Sequence, residues 1–179
     1  MRWIGHSFGG RVVAEVMAHR PELVEQAVLL DPALVVPADY AAFLAAEELA
    51  GDGSFASPEE AVEATFAGLL RRPPEMLAEE VREHLAEGED GRFRFRYSRE
   101  AVAAGYLSVA EPPPPWWRTK VPTLILAGME SKFVSVGEVA AYGQGLGDRL
   151  KVEVVPGGHS LLWDAFDETA GAIEAFFAI

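Results

Sequence analysis

The sequence contains no cysteine. That excludes disulfides, a thiolate nucleophile and any cysteine-based metal site, and it suits a reducing cytoplasm. Basic residues are scarce: 15 Lys and Arg stand against 28 Asp and Glu, for a formal net charge of −13. Such a surface repels phosphate backbones and anionic lipid, so neither nucleic acid nor membrane is expected as a partner. No apolar run approaches the ~20 residues of a membrane span. Met1-Arg2-Trp3-Ile4-Gly5 lacks the apolar stretch of a signal peptide. The resulting expectation is a soluble cytoplasmic protein without a metal or cofactor. What is present suits a sizeable core: 50% of the 179 residues are hydrophobic and 24% are charged, which excludes collagen-like and disordered chains.

Periodicity divides the chain into three regions. In residues 1–32 a short apolar strand runs into a Gly-rich turn and a helix from Gly10 to His19, which Pro21 stops. Ala27-Val28-Leu29-Leu30, ending at Asp31-Pro32, has the continuous apolarity of a strand buried on both faces of a parallel sheet. Residues 33–118 switch to helical spacing with dense charge. Helices are predicted from Tyr40 to Ala50, from the Ser57-Pro58-Glu59-Glu60 capping signal to Arg71, from Pro73 to Ala86, and from the Ser98 cap to Val109. Arg92 to Tyr97 reads as an exposed extended segment with a solvated arginine face, and Pro112 to Pro115 as a stiff connector. This middle region is expected to be a helical insertion, not part of a sheet.

Strand–helix alternation returns in residues 119–179. Thr123 to Ala127 and Lys151 to Val155 are predicted strands, with a glycine-weakened helix from Val139 to Leu146 between them. The last helix carries Leu162, Phe166, Thr169, Ile173 and Phe176 at steps of four, three, four and three, which makes one apolar stripe.

Gly5-His6-Ser7-Phe8-Gly9 fits G-x-S-x-G in an informative setting, between an apolar strand and a helix. There a serine sits on a tight strained turn with its hydroxyl pushed out of the sheet. A Cβ at Gly5 or Gly9 is expected to collide with the neighbouring strand or helix. The helix start behind Ser7 favours developing negative charge, and the Phe8 N–H is a candidate oxyanion donor. His159 follows a strand end and the Pro156-Gly157-Gly158 turn, which places it at the same sheet edge as Ser7. An imidazole there can take the serine proton near neutral pH and return it to a leaving group. His6 is expected to pack or bond locally, His19 to end a helix and His84 to lie on a charged helical face; none has metal-pair spacing.

Gly-His-Ser-Phe-Gly-Gly, Leu30-Asp31-Pro32, Leu126-Ala127-Gly128 and the Gly-Gly-His-Ser turn together resemble the α/β-hydrolase superfamily, most closely its small esterase-type members. The likeness covers the whole chain. It implies an α/β fold, with a mostly parallel sheet and flanking helices formed by residues 1–32 and 119–179, and a helical cap at 33–118. It also implies a serine hydrolase acting on a carboxylic ester or related acyl compound. An aspartate at position 7 would have suggested dehalogenase or epoxide hydrolase chemistry. Thioesterase, C–C hydrolase, aminopeptidase and haloperoxidase chemistry use the same site and stay open. The cap would line a pocket with Phe43, Phe55, Phe66, Leu69, Leu70, Tyr97, Tyr106, Trp116 and Trp117, of which Tyr97 and Trp117 are the foremost candidates.

Two features depart from the family's pattern. The acid usually follows the strand that ends here at Gly128, where this chain has Ser131 and Lys132, with Glu130 one place early. Some members carry it one strand sooner, where this chain has Asp31. Asp31 and Glu130 therefore stand as alternative triad acids. The chain also begins inside the strand before Ser7, whereas family members have several strands earlier. A C-terminal portion of a hydrolase is expected, with an open sheet edge that invites self-association and with activity impaired if an oxyanion donor is missing.

Overall fold

The computed structural model describes residues 1–66, 79 and 81–178. In chain order the elements begin with β1 (Arg2–His6), α1 (Phe8–His19), β2 (Gln26–Leu30), α2 (Ala38–Leu49), β3 (Ser54–Phe55) and α3 (Pro58–Phe66). Next come β4 (Leu85–Glu87), β5 (Phe93–Phe95), α4 (Arg99–Ser108) and β6 (Thr123–Gly128). The chain ends with α5 (Val136–Leu146), β7 (Leu150–Val155), α6 (Leu161–Asp164) and α7 (Phe166–Phe177). The predicted helix end at Arg71, the helix start at Pro73 and the side chains of Phe66, Leu69 and Leu70 lie outside the described residues. Among the described residues, no helix is long and apolar enough to cross a membrane.

Two compact units form: Met1–Pro37 with Val109–Ile179, and Ala38–Ser108. The inserted unit is thus shorter than the expected 33–118, because residues 33–37 and 109–118 belong with the first unit.

In the first unit, β1, β2, β6 and β7 make a parallel sheet in the order β1-β2-β6-β7. β2 is buried at every position because helices cover both faces of the sheet. Ala27 and Leu29 pack with Val13, Ala14 and Met17 of α1, with Trp116, and with Tyr142 and Leu146 of α5. Val28 and Leu30 point the other way, toward Leu161, Ala165 and Phe176. Burying each such leucine stabilises the fold by roughly 1.5–3 kcal/mol. Arg11 is buried on α1 and donates to the carbonyls of Leu34 and Glu111, both at 2.8 Å, while its Nε pairs with Glu15. It therefore ties together the two segments that lead to and from the insertion, which also meet through Val36 N–H on the Val109 carbonyl.

The last helix departs from its predicted stripe. It breaks at Ala165 (φ −150°), giving α6 and α7. The break changes the helical phase: Leu161, Thr169 and Phe176 are buried, whereas Leu162 is exposed and Phe166 is 61% exposed.

The 38–108 unit is not wholly helical. α2 and α4 accompany an antiparallel sheet ordered β3-β5-β4, with Phe55 opposite Phe93 and Leu85 opposite Phe95. The segment expected to be exposed is the central strand of that sheet, and the predicted helix to Ala86 gives way to β4 at Leu85. Phe55, Phe93 and Phe95 pack on Ala61, Val81 and Leu85, so apolar alternation over three residues suffices once two partner strands supply the ladder.

Candidate active site

Every chemistry-bearing side chain of the first unit leaves the carboxyl end of a parallel strand, the edge where open α/β sheets place their ligands. Ser7 follows β1, Asp31 follows β2, Ser131 lies just past β6 and His159 just past β7. The ladder runs on beyond the strands: Ser7 N–H donates to Leu30 O at 3.0 Å, and Asp31 N–H to Leu126 O at 2.7 Å. These bonds fix the spacing between the serine and the aspartate.

Ser7 adopts φ +53° and Asp31 φ +39°, left-handed conformations that cost a non-glycine residue roughly 1–3 kcal/mol each. At Ser7 the turn survives because its neighbours leave room. A Cβ on Gly5 would overlap the Gly9 carbonyl oxygen, and one on Gly10 would come 2.6 Å from Pro32 Cβ. Gly9, by contrast, faces open space. The steric demand expected at Gly5 and Gly9 therefore falls on Gly5 and Gly10. On the opposite side of the site, a Cβ on Gly128 would overlap Gly158 O, so a glycine there lets the histidine loop close onto β6.

The three side chains meet in one hydrogen-bonded line. Ser7 Oγ lies 2.8 Å from His159 Nε2, and His159 Nδ1 lies 2.5 Å from Asp31 Oδ2. Asp31 is fully buried. Its Oδ2 also accepts the Ser131 hydroxyl at 2.5 Å, and its Oδ1 accepts Gly128 N–H at 3.2 Å. Since a carboxylate accepts, Nδ1 carries its proton toward Asp31, which leaves the Nε2 lone pair facing the serine hydroxyl. Glu130, the alternative acid, is exposed on its loop, with its N–H bonded to Gly157 O at 2.9 Å. Of the two carboxylates it is Asp31 that bonds His159.

Phe8 opens α1, so its N–H is among the helix-start amides that have no intrahelical acceptor, beside the positive end of the helix dipole. Its own side chain is exposed. His6, expected to pack or bond locally, instead reaches a partner far along the chain: its Nε2 donates to the His159 carbonyl at 2.8 Å. Phe133 packs its ring 4.2 Å from that of His159. Neither contact had a sequence signal beyond proximity to the turns. Ser131 had one, since a hydroxyl stands where the family's acid is commonest.

The two foremost pocket candidates belong to different units. Tyr97 lines a cavity of about 820 Å³ formed entirely within the 38–108 unit, with Leu44, Phe55, Phe95, Arg99 and Tyr106. Although its side chain is half-exposed, partial desolvation and the neighbouring Glu48 carboxylate push its phenol up to about 12. Trp117 lies in the first unit, half-buried against its core, edge-on to Trp116 and with its ring 5.3 Å from that of Tyr142. An aromatic pair after a proline run reads alike as pocket wall or core, and here the core claims it.

Parallel strands, a strained serine turn and an imidazole between hydroxyl and carboxylate are the marks of a hydrolase class. Residues 3–172 match the family model of the alpha/beta hydrolase family, and the chain belongs to that family. Among curated proteins it is similar to Lipase LipV of Mycobacterium tuberculosis, 31% identical over 107 residues that make up 60% of this chain and 41% of that one. Among solved structures it is similar to E-2-(acetamidomethylene)succinate hydrolase at 28% identity and TM-score 0.79, covering 99% of this chain and 66% of the other. An esterase from M. tuberculosis shares the fold at TM-score 0.76 and 19% identity, over 99% of this chain and 62% of that one. The chain thus spans about two fifths of the curated lipase and just under two thirds of these solved relatives.

Proposed function

We propose that the protein hydrolyses a carboxylic ester or a related acyl compound through an acyl-enzyme on Ser7. The reading is carried by one observation, the unbroken line from Ser7 Oγ through the His159 ring to Asp31. His159 Nε2 takes the hydroxyl proton as Oγ attacks the acyl carbon, forming a tetrahedral oxyanion. Phe8 N–H and the start of α1 stabilise that charge. Collapse expels the alkoxide, which leaves as the alcohol with the proton from Nε2. Water then attacks the acyl-enzyme while His159 Nε2 takes its proton, and collapse releases the carboxylic acid as Ser7 Oγ leaves with the proton returned from Nε2. Asp31 holds the imidazole in the productive tautomer and stabilises the imidazolium without taking its proton.

In the same reading the 38–108 unit, inserted between β2 and β6, serves as the family's cap and selects the substrate. The similarity to a lipase and to a succinate-derivative hydrolase supports an ester or acyl substrate. A series of p-nitrophenyl esters and the matching thioesters tests the proposal. A burst of p-nitrophenol approaching one equivalent per chain, with an acyl adduct at Ser7 in the intact mass, is expected, and Ser7→Ala abolishes both. Turnover by Ser7→Ala at the wild-type rate would overturn the reading.

A further inference from the structure

The sharpest unassigned feature is the donor set around Asp31. A fully buried carboxylate must satisfy its lone pairs from within the protein, and an unmet one is costly. Three elements supply donors here: Gly128 N–H at the end of β6, the Ser131 hydroxyl from the following turn, and His159 after β7. Two of the three converge on the same oxygen, Oδ2. The serine is the only one of those two that is neither a backbone group nor part of the proposed proton path.

The hydroxyl is aimed by its own turn. Ser131 N–H closes a turn onto Gly128 O at 3.0 Å, which fixes its Cα. Its oxygen accepts Phe133 N–H at 3.2 Å, so a lone pair is already engaged and the one hydroxyl proton is left to point at Asp31. Phe133, which supplies that N–H, also lays its ring against His159. One short turn therefore shapes both the carboxylate and the imidazole. Without the hydroxyl, only His159 among the described residues would hold Oδ2, and the Gly128 N–H on Oδ1 would be left as the one bond opposing rotation of the carboxylate from the β6 side.

We propose that Ser131 is a positioning residue for the reaction, its hydroxyl locking the Asp31 carboxylate so that Oδ2 stays on His159 Nδ1. The inference rests on the roles assigned above to Ser7, His159 and Asp31. It gives a function to the position where the family's acid is commonest: a serine there serves an acid supplied by the adjacent strand.

Ser131→Ala and Ser131→Thr in the full chain test it by two readouts. The first is steady-state ester hydrolysis. Loss of a hydrogen bond to a charged group is expected to lower kcat about 10- to 100-fold in Ser131→Ala with KM within about twofold, while Ser131→Thr recovers to within about threefold of wild type. The second needs no turnover. The downfield proton resonance of His159 Nδ1–H, present in wild type, shifts or broadens in Ser131→Ala and returns in Ser131→Thr. An unchanged kcat in Ser131→Ala would overturn the proposal. So would equal losses in both variants with the His159 resonance unmoved, because that pattern describes packing alone. If wild type itself turns over no ester, the functional reading fails instead, and an unmoved resonance in Ser131→Ala still overturns the positioning role.

Discussion

Asp31→Asn is the substitution whose consequence can be worked out most fully. Asp31 meets three donors, two on Oδ2 and one on Oδ1, whereas an amide offers one oxygen and one NH2 group. With the amide oxygen at the Oδ2 site, NH2 faces Gly128 N–H in a fully buried place, an unmet donor pair costing about 1–3 kcal/mol. With NH2 at the Oδ2 site, His159 Nδ1 must become an acceptor. The ring proton then moves to Nε2 and faces Ser7 Oγ, so the imidazole can no longer act as base. The second arrangement removes the base, the first keeps the tautomer but loses the negative charge that stabilises the imidazolium, and both leave side-chain volume unchanged. The expected loss is on the order of 10⁴ in kcat, the size seen when a triad histidine is held in the wrong tautomer. Glu130→Gln, on an exposed loop residue, is expected to cost less than about threefold. The assay is p-nitrophenyl ester hydrolysis normalised to folded protein, with circular dichroism and urea unfolding run on each variant. A Glu130→Gln loss exceeding that of Asp31→Asn, or an Asp31→Asn enzyme within tenfold of wild type, would refute the assignment of the acid.

Three other outcomes are expected. Gly5→Ala drives a Cβ into the Gly9 carbonyl and should lower stability by more than about 3 kcal/mol, whereas Gly9→Ala enters open space on α1 and should be neutral or stabilising by up to about 1 kcal/mol, both read by urea unfolding. Arg11→Met removes the donors that hold the Leu34 and Glu111 carbonyls and should cost about 3 kcal/mol, with faster hydrogen exchange at Val36, whose N–H bonds the Val109 carbonyl. Tyr97, raised above the ordinary tyrosine value by burial and by Glu48, binds its proton more tightly when folded than when unfolded, so its contribution to stability is intact below pH 10 and is lost as pH climbs toward about 12. Ultraviolet titration should show the phenolate component near 12 disappearing in Tyr97→Phe.

Much of the first unit could be read from the sequence because its signals are local. A strand buried on both faces must be continuously apolar, as Ala27 to Leu30 are, and a serine on a strand-to-helix turn needs glycines close by, as Gly5 and Gly10 are. What the sequence left open was set by tertiary contacts. The choice between Asp31 and Glu130 depends on which loop faces His159 across the sheet edge, and no spacing rule encodes that. Gly9 and Gly10 look alike in the chain, yet Pro32 lies against only one of them. The small antiparallel sheet escaped because β3 spans two residues and β4 three, too short to show a period of two against helical surroundings, so the extended segment that holds β5 had no visible partners. The break at Ala165 carries neither glycine nor proline, and Asp164 turns its carboxylate back to Gly158 N–H at 2.9 Å, a contact visible only in three dimensions.

The central claim is that the Ser7 hydroxyl is made nucleophilic by the imidazole 2.8 Å away. Labelling with a fluorophosphonate probe, followed by peptide mass mapping, tests it most directly. One adduct per chain on Ser7, lost in Ser7→Ala and slowed by several orders of magnitude in His159→Ala, is the expected result. Labelling that survives Ser7→Ala, or that proceeds at the wild-type rate without His159, would contradict the account.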